Sequence, residues 1–216
     1  MGDSKFEMNR IDSRLSRLYT GRDNKQETYD RWADDYEKDL VGDLGYVAHV
    51  DATRIFSEAV PDRSCRVLDV ACGTGLVGIE LQNHGYSDVD GTDFSPGMLE
   101  KAADTGTYRT LFRHDFTRDL ENPGQYDALI CVGLFAFDIP PITDMIRVIR
   151  SARSGGTCVI TVNGAAWHQL DHETTIRDEA DRYGFTIEAI HRVGYIRDQG
   201  IDGRVLVIRA PGDAVG

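Results

Sequence analysis

The chain has 216 residues, 41% of them hydrophobic, and a formal net charge of −12, with an isoelectric point near 4.9. That length suits one domain with a sizeable core, and the acidity argues against a nucleic-acid partner, because such binders present a basic face to phosphates. No stretch approaches a membrane span, and Met1-Gly2-Asp3-Ser4-Lys5-Phe6-Glu7 lacks the apolar core of a signal peptide, so no membrane partner and a cytoplasmic location are expected.

In chain order, residues 1–20 carry apolar positions at roughly helical spacing, and Gly21-Arg22-Asp23-Asn24 reads as a break. A second helix is predicted over 25–40, with Tyr29, Trp32, Ala33, Tyr36 and Leu40 on one face, and a third from Val47 to Val60, stopping before Pro61. Strand and helix then alternate. Strands are predicted at Arg66–Val70, Asp88–Asp93, Arg109–His114, Tyr126–Val132 and Thr157–Val162, with helices at Leu76–His84, Pro96–Ala103, Ile142–Ser151 and His172–Tyr183. Two final strands, Phe185–His191 and Arg204–Arg209, have no helix between them; Asp198–Gly203 reads as a hairpin connection. The expected fold is α/β: a doubly wound, Rossmann-like sheet of seven strands, mostly parallel with an antiparallel C-terminal strand. Residues 1–60 are expected to form a helical N-terminal cap contributing to the pocket, and 61–216 the core.

The four cysteines, Cys65, Cys72, Cys131 and Cys158, form no C-x-x-C pair, and no histidine stands at zinc-ligand spacing. They read as apolar fillers, and no metal site is expected. His168 and His172 lie four apart, but no nearby glutamate or third histidine completes a zinc pattern.

Two neighbouring segments carry the chemistry. Asp69-Val70-Ala71-Cys72-Gly73-Thr74-Gly75 runs from a strand into a glycine turn, and Gly91-Thr92-Asp93-Phe94-Ser95-Pro96 ends a second strand on a carboxylate. Gly73, Gly75 and Gly78 complete a G-x-G-x-x-G, and Asp93 stands near where a dinucleotide fold grips its ribose diol. Alone, that pattern would suggest a nicotinamide cofactor. Asp69 opposes it, because an anion under the turn would repel a pyrophosphate but welcome an ammonium or sulfonium. The terminal strand pair is equally foreign to the simple dinucleotide fold.

These residues resemble the class I S-adenosylmethionine-dependent methyltransferases. Asp69–Gly75 is similar to that family's first motif, Gly91–Ser95 to its second, and Tyr126-Asp127-Ala128-Leu129-Ile130-Cys131 to its fourth. Tyr29-Asp30-Arg31-Trp32-Ala33-Asp34-Asp35-Tyr36 is similar to a segment of small-molecule members, and the nearest likeness is to proteins related to the Williams–Beuren syndrome methyltransferase. One departure is Ser154, where proline is usual before Gly155-Gly156.

The resemblance implies S-adenosylmethionine as cofactor and methyl transfer to a small-molecule acceptor; the alternative is a non-catalytic S-adenosylmethionine or S-adenosylhomocysteine binding protein. Ala71, Cys72, Gly73, Thr74 and Gly75 would form the cofactor turn, with glycine letting the backbone approach the methionyl part. Asp69 would receive the ammonium or brace the loop, and Asp93 would accept both ribose hydroxyls. Phe94 and Met98 would pack on adenine or belong to the core. Asp115 would accept from the adenine amino group or form an Asx turn, with the Phe116 amide beside it. Cys131, Val132 and Gly133 would end the fourth strand with carbonyls facing the ammonium. Tyr29, Trp32 and Tyr36 would close over the cofactor or pack as a core stripe, and Trp167, His168 and Tyr195 are candidate substrate contacts. No residue stands out as a general base, and none is assigned as catalytic. A monomer or homodimer is expected.

Overall fold

The computed structural model describes residues 30, 38–136 and 140–212. A wide helical turn, Lys38–Asp43, leads to the first regular helix, α1 (Ala48–Ala59). The alternating part follows: β1 (Val67–Val70), α2 (Leu76–Asn83), β2 (Val89–Asp93), α3 (Pro96–Asp104), β3 (Thr110–Arg113) and β4 (Tyr126–Phe135). A short 3-10 turn runs into α4 (Met145–Ile149), then β5 (Ala152–Asn163), α5 (Gly164–Gln169), α6 (His172–Tyr183), β6 (Thr186–Ile196) and β7 (Ile201–Arg209). Sheet order is β3-β2-β1-β4-β5-β7-β6. β7 runs antiparallel to both its neighbours, and every other pairing is parallel.

Reversal of strand order at β1 opens a crevice at the carboxyl ends of β1 and β4, where ligands bind in open α/β sheets. Both sheet faces are apolar, as parallel strands require. On one face Val67, Ala128, Ile130, Val159 and Val207 pack with α1 and α2; on the other Leu68, Leu129, Ile160 and Leu206 pack with α4, α5 and α6. Helix α1 is part of the first core: Ala52, Ile55 and Phe56 are fully or nearly fully buried in it. Its approach is fixed by the chain before it, which bridges Tyr46 to Ile196. There Val47 N donates to the Tyr195 carbonyl at 3.1 Å, and Arg197 N to the Gly45 carbonyl at 3.0 Å.

Several elements run longer than the sequence pattern predicts. β4 continues past Val132 to Phe135, and β6 continues to Ile196. The hairpin is correspondingly short, a turn at Arg197–Gln199 closed by left-handed Gly200. Helix α5 was not anticipated; its signal is Asn163, whose side chain caps the Ala165 and Ala166 amides.

At the opposite end of the strands from the crevice, buried Asp90 anchors three elements. Its Oδ2 accepts from Arg66 Nη2 at 3.0 Å, Arg109 Nη2 at 2.5 Å and the Tyr126 hydroxyl at 3.1 Å. Both arginines reach water, so losing the carboxylate leaves them partly hydrated. Asp90→Ala is expected to destabilise the fold by about 2 kcal/mol, below the range for fully buried pairs. Urea unfolding would measure it.

Candidate functional site

The site begins with the turn that β1 makes into α2. Ala71, Gly73 and Gly75 all take positive φ (58°, 54° and 99°), unusual for alanine. Such a turn must be held by its surroundings. Cys72 N donates to the Thr92 carbonyl at 3.0 Å, and Gly73 N to Asp93 Oδ2 at 3.0 Å, stitching the turn to the end of β2.

Asp93 is a two-sided brace. While Oδ2 holds Gly73, Oδ1 accepts from Ser95 N at 2.9 Å. Burial raises its pKa, opposed by hydrogen bonds from the Ser95, Gly73 and Phe94 amides. Ser95 caps α3, accepting from Met98 N at 3.2 Å, and its hydroxyl donates to Asp30. Gly97 N also donates to Asp30 Oδ1, at 3.1 Å. Asp30 therefore ties the N-terminal segment to the helix beside Asp93. The sequence reading passed over it for the aromatic residues around it; its signal was a carboxylate available to a helix N-terminus.

Asp69 lies beneath the turn with no solvent exposure. Its Oδ2 accepts the Tyr108 hydroxyl at 2.6 Å, while Oδ1 has no partner among the described residues. Burial pushes its pKa up to about 7, the Tyr108 hydrogen bond pulls it down, and the charge of Asp93 raises it further. Thr74 Oγ1, in the turn itself, is also buried without a partner among the described residues.

The glycines of the turn face different surroundings. At Gly73 an added Cβ would meet nothing within 4 Å among the described residues, which leaves room for a ligand. At Gly75 it would come within 2.9 Å of Thr105 Cγ2 and 3.3 Å of the Tyr108 ring, so packing against the end of α3 and a φ of 99° both require glycine there. At Gly78 it would come within 2.4 Å of the Tyr108 ring.

β4 supplies the other wall. Its ladder jumps from Cys131–Ile160 to Phe135–Val162, so Val132, Gly133 and Leu134 leave regular pairing. The strand thus does not end at Cys131–Gly133 as expected, but its parallel ladder is interrupted there. Gly133 has φ 89°, and its amide donates to Thr161 Oγ1 at 2.9 Å. A side chain there would come within 3.1 Å of the Tyr46 hydroxyl and 3.9 Å of the Tyr195 hydroxyl. Those two rings meet edge to face with centroids 5.6 Å apart. Cys131 is fully buried, and burial raises its thiol well above the ordinary range.

The remaining candidates fall in varied places. Met98 is 1% exposed, sealed under α3, whereas Phe94 is half-buried. Asp115 forms an Asx turn: Oδ1 accepts from Thr117 N at 3.0 Å and from its hydroxyl at 2.8 Å, which lowers its pKa. Phe116 joins the core and meets His114 edge to face. The three substrate candidates do not form one wall. Trp167 packs in the core on the α6 side, Tyr195 in the core on the α1 side, and exposed His168 pairs with Arg204 at 3.0 Å. Trp167 instead lines a cavity of about 440 Å³ with Glu173, Arg177, Glu188 and Arg204, to which no residue of the glycine turn contributes. Tyr29, Trp32 and Tyr36 lie outside the described residues.

Residues 67–156 match the family profile described as a methyltransferase domain. Over those residues the chain is similar to the S-adenosylmethionine-dependent methyltransferases. The chain is 35% identical to human methyltransferase-like protein 27 over 158 residues, covering 71% of this chain and 63% of that protein. It is 40% identical to the bovine 18S rRNA (guanine-N(7))-methyltransferase over 140 residues, covering 58% of this chain and 47% of that protein. The chain thus spans between about half and two thirds of these curated relatives. Among solved structures, a chain from the complex of the Haloferax volcanii Trm112 methyltransferase activator with a methyltransferase aligns with a TM-score of 0.68 at 17% identity, covering 89% of this chain and 100% of that one. That last likeness is one of fold.

The cofactor of this domain class is S-adenosylmethionine, and the residues present fit it. Two buried carboxylates and unpartnered oxygens on Asp69 and Thr74 suit a ligand with an ammonium, a sulfonium and a diol. They do not suit a pyrophosphate. Because the folded-state pKa of Asp69 is raised, its favourable contribution to the ligand-free fold is complete below pH about 4 and is lost as pH rises through about 7. Asp69→Asn, neutral at every pH, is therefore expected to raise the ligand-free unfolding midpoint at about pH 8 and to give no such gain at about pH 4. Calorimetric melting at the two pH values measures this.

Proposed function

We propose that the protein is an S-adenosylmethionine-dependent methyltransferase acting on a small-molecule acceptor. The observation that carries this reading is the joining of Asp93 to the glycine turn directly above the buried, half-partnered carboxylate of Asp69. Asp93 holds the turn through Oδ2 and the start of α3 through Oδ1, and a carboxylate's remaining lone pairs would accept the hydroxyls of a ribose diol. Asp69 Oδ1 would take the ammonium, and the interrupted end of β4 would border the reacting carbon.

When bound, the cofactor supplies an electrophilic methyl group on a sulfonium whose positive charge is relieved as the methyl leaves. The chain's work is to position the two reactants and exclude water. Gly133 keeps the end of β4 narrow, where a side chain would come within 3.1 Å of the Tyr46 hydroxyl. No general base is assigned; one is needed only for an acceptor that arrives protonated and is a poor nucleophile.

The net charge of −12 supports a small acceptor over RNA. A second reading, an RNA acceptor, is favoured by the 40% identity to the bovine rRNA enzyme. Methyl transfer from labelled cofactor to a metabolite panel and to total RNA separates the two. The likeness to the Williams–Beuren-related group supports the first reading, and the non-catalytic alternative predicts binding with no transfer to either.

The cofactor arm is tested by thermal shift with S-adenosylhomocysteine and NAD. S-adenosylhomocysteine is expected to raise the wild-type midpoint and NAD to leave it unchanged. Asp93→Asn keeps the side chain's shape but removes one acceptor oxygen and the charge, and is expected to weaken S-adenosylhomocysteine by about tenfold or more.

A further inference from the structure

We infer that Tyr108 is a positioning residue for the cofactor: its hydroxyl holds the Asp69 carboxylate aimed at the ammonium site, and its ring sets the height of the glycine turn. This rests on the reading of Asp69 as the ammonium's partner.

Tyr108 sits between the end of α3 and the start of β3, outside every motif segment, yet three motif glycines close around it. An added Cβ would lie 3.3 Å from its ring at Gly75, 2.4 Å at Gly78 and 2.9 Å at Gly91. Any side chain at Gly78 or Gly91 would displace the ring. The last glycine of the G-x-G-x-x-G is thus explained by a tyrosine packed inside the protein.

The hydroxyl works in both directions. It donates to Asp69 Oδ2 at 2.6 Å and accepts from Gly78 N at 3.1 Å, linking the carboxylate to the first turn of α2. That amide has no partner within its own helix's first turn, so the tyrosine also serves as its cap. With Oδ2 committed in this way, Oδ1 is the oxygen left for a ligand.

The groups facing Asp69 are Tyr108, Asp93 from β2, Cys72 from the turn and Cys131 from β4. None is a cation. Burial, together with the negative charge of Asp69, keeps the Tyr108 phenol far above its ordinary pKa, so it remains a donor. Its hydrogen bond is the only influence among these groups that favours the charged form of Asp69. Without it the carboxyl would hold its proton to a higher pH and meet the ammonium uncharged.

The test is Tyr108→Phe, which keeps the ring in its glycine cradle and removes one oxygen. Two ligands are titrated by calorimetry between about pH 6 and pH 9: S-adenosylhomocysteine, which carries the ammonium, and methylthioadenosine, which lacks the amino-acid arm. The expected result is a loss of about tenfold for S-adenosylhomocysteine at about pH 7, the size of one charge-assisted hydrogen bond. Most of that loss should be recovered at about pH 9, with methylthioadenosine unchanged throughout. Asp69→Asn should show the loss without the recovery. Equal weakening of both ligands in Tyr108→Phe would mark the tyrosine as scaffold alone and overturn the inference, as would undiminished binding of both. Failure of the wild type to bind S-adenosylhomocysteine would overturn the cofactor reading as well.

Discussion

A carboxylate in the middle of a parallel sheet, under a turn of positive-φ residues and with no cation beside it among the described residues, is the constraint around which this molecule is arranged. Asp69 is flanked by β2 on one side and β4 on the other and is wholly removed from water. An uncompensated charge in such a place is expensive. The ligand-free protein limits that cost with one tyrosine hydroxyl and a raised pKa. A cationic ligand group would resolve the remainder. Strain at Ala71 and the orphan oxygens of Asp69 and Thr74 lie within the same few residues, as expected where stability yields to binding.

The second carboxylate turns this local arrangement into a site. Asp93 joins the glycine turn to the start of α3, and Ser95 passes the connection on to Asp30. Asp30, the glycine turn and the Asp93 carboxylate therefore share one hydrogen-bonded chain. Movement of any one is felt by the others through short polar contacts, so a bound ribose would also organise the attachment of residue 30. On the far side, the irregular end of β4 brings a glycine backbone against two tyrosine hydroxyls from separate elements, α1's approach and the end of β6. The two halves meet across the crevice that strand order creates.

Much of this was legible in the residues. The glycine turn, the carboxylate ending β2 and the capping Ser95-Pro96 are local patterns with local causes, and a mostly parallel sheet with an antiparallel C-terminal strand followed from strand–helix alternation and a final hairpin. What was not legible depends on distant contacts. Tyr108 belongs to no motif, and its role emerges only when the loop before β3 folds back under α2. Gly75 carries the same spacing whether it spares a ligand or a packed threonine. Trp167 and Tyr195 both lie near the carboxyl end of the sheet in sequence terms, but the sheet separates them onto opposite faces, which no linear pattern records. The overrun of β4 to Phe135 was hidden because Gly133 looks like a strand terminator, although here it marks a bulge inside one.

The central claim is that the buried Asp69 carboxyl is about half protonated in the ligand-free protein at pH 7 and would be ionised by a ligand's ammonium. The direct measurement is proton release on binding S-adenosylhomocysteine, obtained by calorimetry at about pH 6.5 in two buffers of different ionisation enthalpy. With the Asp69 pKa at about 7 in the free protein, release of more than about half a proton per site is predicted. Binding with no proton released would contradict the account, because it would leave Asp69 either already charged without a partner or uninvolved in holding the ligand.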